Sequence, residues 1–134
     1  MVIAIDFDNT LCIGHEFPNI GAPRLWLIEK AKQWKLDGHQ LILYTCREDV
    51  LPDELSVFDP GTYLTDAINF CKSFGLEFDA HNQSIDELKY PTHKFSRKVF
   101  ASVYIDDRSV SFIDNSEQFV FNPGVCASGL ELNK

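Results

Sequence analysis

Residues 3–9, Ile3-Ala4-Ile5-Asp6-Phe7-Asp8-Asn9, restrict the fold more than any other stretch of the chain. An apolar run that stops in two carboxylates one residue apart reads as a buried strand delivering acids to its carboxyl end, where open α/β sheets keep their ligand sites. Two acids this close repel one another, and desolvation at the mouth of a sheet adds to the cost. The pair persists only with a cation beside it or a proton on one member. A plain turn at Asp8-Asn9-Thr10, with Asp8 or Thr10 capping the next element, explains the motif if nothing else meets it. Whether later strands bring matching groups to the same edge therefore decides the reading.

The 134 residues suit a single domain, 1–134, with a real core, and 45% hydrophobic with 13% aromatic residues is a globular composition. A formal charge of −8 argues against a general affinity for nucleic-acid backbones, which takes a basic face. The four cysteines, Cys12, Cys46, Cys71 and Cys126, are widely spaced with no CxxC pair, so reduced thiols are expected rather than disulfides or zinc. No stretch reads as a secretory leader, and no apolar run approaches the roughly 18 residues of a membrane span. The expectation is a cytoplasmic protein without a membrane partner.

Residues 12–23 hold two glycines and two prolines, as a structured loop or small hairpin beside the acids would, and His15 there is a weak candidate contact. Helical spacing begins near Pro23, with Trp26 and Trp34 packing, and stops at Asp37-Gly38. Gln40 to Thr45 is a second near-continuous apolar run. A right-handed crossover would set its carboxyl end beside the first, placing Thr45 near Asp6 and Asp8 with Arg47 just beyond. Residues 50–61 read as a loop, and a helix from Tyr63 to Phe74, with Cys71 in the packing, is stopped by Gly75. Leu76 to Ala80 is expected as a third strand, ending near Asn82. A polar stretch over 84–97, read as a solvated face, precedes Val99 to Ile105, an apolar strand ending in Asp106-Asp107-Arg108. Phe112-Ile113 is expected as a short helix and Phe119 to Phe121 as a closing edge strand, with Asn122-Pro123-Gly124 ending regular structure.

Two strands that both end in paired acids are not explained by stability, because four bare carboxylates together destabilise a fold. A divalent cation resolves the repulsion. Hard oxygen ligands with a hydroxyl and a lysine suit Mg2+ and phosphate better than a soft metal. Phosphoryl transfer asks a protein mainly for positioning and charge neutralisation, and a carboxylate nucleophile splits the hydrolysis into two easier steps.

These residues resemble the haloacid dehalogenase superfamily of aspartate-nucleophile phosphatases. Asp6-Phe7-Asp8-Asn9-Thr10 is similar to its first motif, usually DxDGT; Thr45 to its second; Lys98, or Lys94 in its place, to the third-motif lysine; and Ile105-Asp106-Asp107 to the fourth. The resemblance spans roughly residues 2–110, and small bacterial and phage members with an IDDR ending also share the Phe17-Pro18-Asn19-Ile20-Gly21 and Thr45 to Glu48 stretches. It implies a three-layer Rossmann-like α/β fold with a mainly parallel sheet and, since neither usual gap can hold an insert, no cap domain. It also implies a phosphomonoesterase. Asp6 is the nucleophile and Asp8 the general acid and base; Thr45 and Lys98 hold phosphate oxygens; Mg2+ is held by Asp6, the Asp8 carbonyl and Asp106, with Asp107 in support. Arg47, Asn82, Arg108 and Asn9 are candidate substrate contacts, Asn9 replacing the usual glycine because Asn tolerates unusual backbone angles.

A phosphorylated small molecule is the expected substrate, with a nucleic-acid end disfavoured by the charge. Capless members tend to take large substrates or borrow a neighbouring subunit as a lid, so a homo-oligomer is among the expected states. Two other classes stand beside this reading. One is a fold-retaining binding or regulatory protein without turnover. The other is a phospho-receiver domain, whose phosphorylated Asp belongs on a middle strand that Gln40 to Thr45 does not supply.

Overall fold

The structure, a computed structural model, describes residues 1–14, 16–90, 92–93 and 98–122. In chain order the elements are β1 (Val2–Ile5), β2 (Cys12–Ile13), β3 (Ala22–Pro23), α1 (Leu25–Leu36), β4 (Gln40–Leu43), β5 (Asp49–Val50), β6 (Gly61–Thr62), α2 (Tyr63–Ser73), β7 (Ala80–His81), α3 (Ile85–Lys89), β8 (Val103–Ile105), β9 (Val110–Ile113) and β10 (Gln118–Phe121). A central sheet of order β7-β4-β1-β8 has every pairing parallel, and the remaining strands form three two-stranded antiparallel units. The fold is mixed α/β and Rossmann-like.

Ile3, Ile5, Leu41 and Leu43 point to one core with Leu27, Ile28, Ala67 and Cys71, while Ala4 and Ile42 point to a smaller one with Ala80 and Val99. Both faces of β1 and β4 are thereby covered, which is why their sequences are continuous rather than alternating. Fully burying each large aliphatic or aromatic side chain is worth about 1.5–3 kcal/mol. Phe7, directly after the strand, is itself completely buried and meets Phe70 of α2 edge to face at 5.6 Å.

Several boundaries differ from the sequence expectation. Pro23 pairs with Cys12 in the β2–β3 hairpin, and Arg24 takes the helix N-cap position. That hairpin requires Gly21, where a Cβ would sit 2.1 Å from the Ile13 carbonyl oxygen. The expected strand at Leu76 to Ala80 pairs only at Ala80–His81, because the Asp79 carboxylate takes the Leu41 N–H (2.8 Å) that a neighbouring strand would otherwise take. The expected strand at Val99 to Ile105 pairs only from Val103. Before it, the main chain keeps one bond to β1, Ser102 N–H to the Val2 carbonyl (2.7 Å), and side chains hold the rest: Phe100 N–H donates to the Ser84 hydroxyl (2.9 Å), and the Tyr104 hydroxyl donates to the Val99 carbonyl (2.5 Å). The expected helix at Phe112-Ile113 is instead strand β9, paired with β10 around a 3-10 turn at Asp114–Ser116. Helix α3, within the stretch read as a solvated face, starts at a capping box between Ser84 and Glu87.

Candidate active site

Register places the acids. Ile5 is level with Leu43 on one side and Ile105 on the other, so the next residue of each strand, Asp6, Tyr44 and Asp106, emerges at one height on the carboxyl edge. The Asp6 N–H donates to the Ile105 carbonyl (2.9 Å) and the Tyr44 N–H to the Ile5 carbonyl (2.9 Å), carrying the alignment past the last paired residues. The N–H groups of Thr10 and Leu11 then return to the Phe7 carbonyl, so the turn expected at Asp8-Asn9-Thr10 does form. It turns the chain without removing the acids from the edge. Asn9 holds it at φ 61°, the left-handed region Asn adopts more readily than most residues. The Thr10 hydroxyl is buried and has no hydrogen-bond partner among the described residues.

Asp6, Asp8, Asp106 and Asp107 line one cleft of about 640 Å³, together with Thr45 and Arg108. Tyr44 and Cys46, which the motifs did not single out, complete its wall. Their signal was the register itself, since the residues leaving a central parallel strand must line whatever opens at its end. The Asp6 carboxyl is pushed from 3.8 up to about 7, by burial first and then by the charges of Asp107, Asp8 and Asp106, against a lowering hydrogen bond from the Phe7 N–H. Asp106 is oriented by its own turn, its Oδ1 accepting from the Arg108 and Ser109 N–H groups (2.8 Å each).

Three expected substrate contacts are placed elsewhere. Arg47 is 1% exposed, and its guanidinium is committed inward: Nε donates to Asp8 Oδ2 (2.9 Å), Nη2 to Asp8 Oδ1 (2.8 Å) and the Asn19 carbonyl (3.1 Å), and Nη1 to the Pro18 carbonyl (3.2 Å). A substrate in the cleft meets Asp8 before it meets Arg47. Asn82, at φ 52°, uses its amide to hold the β4 exit loop: Oδ1 accepts from the Thr45 N–H (2.8 Å), and Nδ2 donates to the Arg47 carbonyl (3.0 Å) and Glu48 (2.9 Å). Asn9 lines a different hollow with Gly14, Glu16 and Asn19. Lys98 is exposed, with Nζ 5.3 Å from the centre of the Tyr104 ring, which in turn lies 6.0 Å from Tyr44, and it is not among the residues that line the cleft. Lys94 and His15 lie outside the described residues.

Arg24 was not anticipated and matters for the same loop. Buried at a helix N-cap, it donates from Nε to the Thr10 carbonyl (2.7 Å), from Nη2 to the Asn9 carbonyl (3.4 Å) and from Nη1 to Asp114 (2.7 Å), with its face 3.9 Å over Phe112. It ties the turn after Asp8 to the β9–β10 hairpin.

Among the described residues no three His, Cys, Asp or Glu side chains gather as a metal cage. The donor set nevertheless fits Mg2+, which keeps several waters and is commonly held by one or two carboxylates rather than by an all-protein cage. The repulsion that raises Asp6 is the kind a divalent cation removes.

Fold and cleft together define an α/β protein with an acid-lined cleft at the carboxyl edge of a parallel sheet. A conserved protein of known structure from Bacteroides thetaiotaomicron is similar to this chain, with 37% identity over 81% of this chain and 76% of the other and a TM-score of 0.64. The two belong to one family. No family model and no curated protein matches the chain. Among the described residues no helix is long and apolar enough to cross a membrane.

Proposed function

We propose that the chain is a cytoplasmic Mg2+-dependent phosphohydrolase of the haloacid dehalogenase type, without a cap domain, cleaving phosphate monoesters through an aspartyl-phosphate on Asp6. The observation that carries this reading is the meeting of Asp6, Asp8, Asp106 and Asp107 with Thr45 in one cleft. Asp6 Oδ attacks phosphorus as the bond to the leaving oxygen breaks, and that oxygen takes the proton of Asp8. Water then gives a proton back to Asp8 as its oxygen bonds to phosphorus and the Asp6–phosphorus bond breaks. The Thr45 hydroxyl accepts from the Arg47 N–H (3.2 Å), which leaves its own proton for a phosphate oxygen. Lys98, swung past Tyr104, and Arg108 on the cleft wall are the cations for the remaining oxygens. The carboxylates of Asp6 and Asp106 and the Asp8 carbonyl would hold Mg2+, with Asp107 beside them. The cation supplies charge neutralisation, which favours ionised Asp6 at neutral pH and lowers its repulsion of an anionic substrate. A phosphorylated small molecule suits the cleft, and a net charge of −8 disfavours a nucleic-acid end.

One observation favours a second reading, a binding protein without turnover: both oxygens of the proposed acid are engaged by Arg47. A single assay separates the two. Phosphate release from 4-nitrophenyl phosphate should require Mg2+ and be abolished by Asp6→Asn. Absence of turnover by the wild-type chain with the metal present would sink the enzyme reading, and a phosphorylated chain that does not release phosphate would mark a receiver.

A further inference from the structure

We propose that Arg47 is a positioning residue for Asp8, holding its carboxylate at the cleft and retaining it by one bond when the other oxygen turns to the reacting group. The inference rests on the phosphohydrolase reading above. Its basis is an asymmetry within the pair. Arg47 is sealed, with a side-chain exposure of 1%, while Asp8 is open to the cleft at 33%. A sealed guanidinium touches no substrate, so whatever it contributes to the chemistry passes through Asp8.

Stability alone does not account for the arrangement. Removing a guanidinium from water is expensive, and an apolar pair of similar volume often serves a core as well or better. The setting is also more elaborate than a salt link needs. Phe7 and Phe17 flank the guanidinium at 5.1 and 5.0 Å, the Pro18 and Asn19 carbonyls anchor two of its nitrogens, and Asn82 holds its main-chain carbonyl. The fork is therefore fixed independently of Asp8, as a template should be.

The geometry also limits how Asp8 can work. Each oxygen gives one lone pair to Arg47, so an oxygen that turns that lone pair to a leaving group or to water must let go of its Arg47 bond. Breaking one bond frees one oxygen, and the remaining bond with the two carbonyl anchors keeps the carboxylate at the cleft. Asp8 thus pivots on Arg47. Only a planar fork offers two parallel N–H bonds with one to spare; a lysine supplies a single point charge.

The test uses the dependence on the leaving group. A 4-nitrophenolate leaves without much help, whereas the alkoxide of glycerol 3-phosphate needs its proton, and kcat/KM reports the step in which that proton moves. Arg47→Lys should lower kcat/KM for glycerol 3-phosphate about 10- to 100-fold and for 4-nitrophenyl phosphate less than about 3-fold, within the usual reach of general acid catalysis. In an Asp8→Asn background the same substitution should add less than about a 3-fold loss, because nothing remains to position. Equal losses for both substrates, or undiminished losses in that background, overturn the proposal and leave the phosphohydrolase reading intact. If wild type turns over neither substrate, that reading fails and takes this one with it. Should Arg47→Lys not fold, hydrogen exchange decides in the wild-type chain: the Arg47 Nε–H should exchange more slowly than that of Arg108 and speed up in Asp8→Asn. Exchange as fast as that of Arg108 overturns the pairing.

Discussion

At the scale of single residues, Asp6 carries an energetic consequence separable from activity. Its carboxyl is raised to about 7 from an ordinary 3.8, so the folded chain holds this proton more tightly than the unfolded chain does. Stability from this group is accordingly intact below about pH 4, lost as pH rises to about 7, and gone above it, an effect on the order of 4 kcal/mol at most. In chelator, the urea stability of wild type minus that of Asp6→Asn should fall between pH 4 and pH 7.5. Millimolar Mg2+ should restore part of the wild-type loss by binding the folded form alone. A difference that does not vary with pH would mean that Asp6 feels neither the burial nor the neighbouring charges. The motif made Asp6, Asp8, Asp106 and Thr45 legible from sequence, because each lies at the end of an apolar run that must open at the sheet edge. The bonds that hold the Arg47 and Asn82 side chains were not legible, because polar residues in loops look equally available to a ligand until the carbonyls that claim them are located. Those carbonyls, from Pro18, Asn19 and Arg47 itself, carry no signature in sequence.

At the scale of elements, β1 and β4 could be read because burial on both faces leaves a continuous apolar run, and α1 and α2 because their stops, Gly38 and Gly75, sit at positive φ just past the last turn. Strand β10 was anticipated over Phe119 to Phe121, but its partner β9, and with it the hairpin, was missed although the pattern is period two: Val110 and Phe119 are buried while Ser111 and Val120 are exposed. Its four-residue strands are short, and the turn between them lacks the glycine that usually announces a hairpin; Glu117 takes the left-handed position instead. Helix α3 was missed although Ser84 and Glu87 stand at capping-box spacing. These elements are held by side chains that tie distant segments, which gives a ranking of substitutions. Arg24→Ala removes three buried or part-buried hydrogen bonds and strands two carbonyls behind the acid turn, a cost of about 2–4 kcal/mol. Ser84→Ala breaks the cap of α3 and the Phe100 bond for about 1–2 kcal/mol. Urea midpoints at constant slope should reproduce that order, and the reverse order would place the β9–β10 hairpin outside the cooperative core.

At the scale of the molecule, the charge of −8 and four acids in one cleft oppose the anion the site is proposed to take. An encounter between like-charged partners speeds up when salt shortens the range of the repulsion, whereas one steered by a basic surface slows down. With Mg2+ held saturating, raising the ionic strength from about 20 mM to about 150 mM shortens the screening length from about 20 Å to about 8 Å. That change silences the distant acids, including Glu29 on α1 and Asp37 at its end, and leaves contacts within the cleft nearly untouched. For a doubly charged phosphate monoester kcat/KM should therefore rise severalfold over this range while kcat stays level, because the chemistry proceeds inside the cleft and only the approach crosses the outer field. A neutral competitor for the same wall should show no such slope. If kcat/KM falls with salt instead, Lys98 and Arg108 govern the approach, and the positive rim rather than the acidic surface sets which anions arrive.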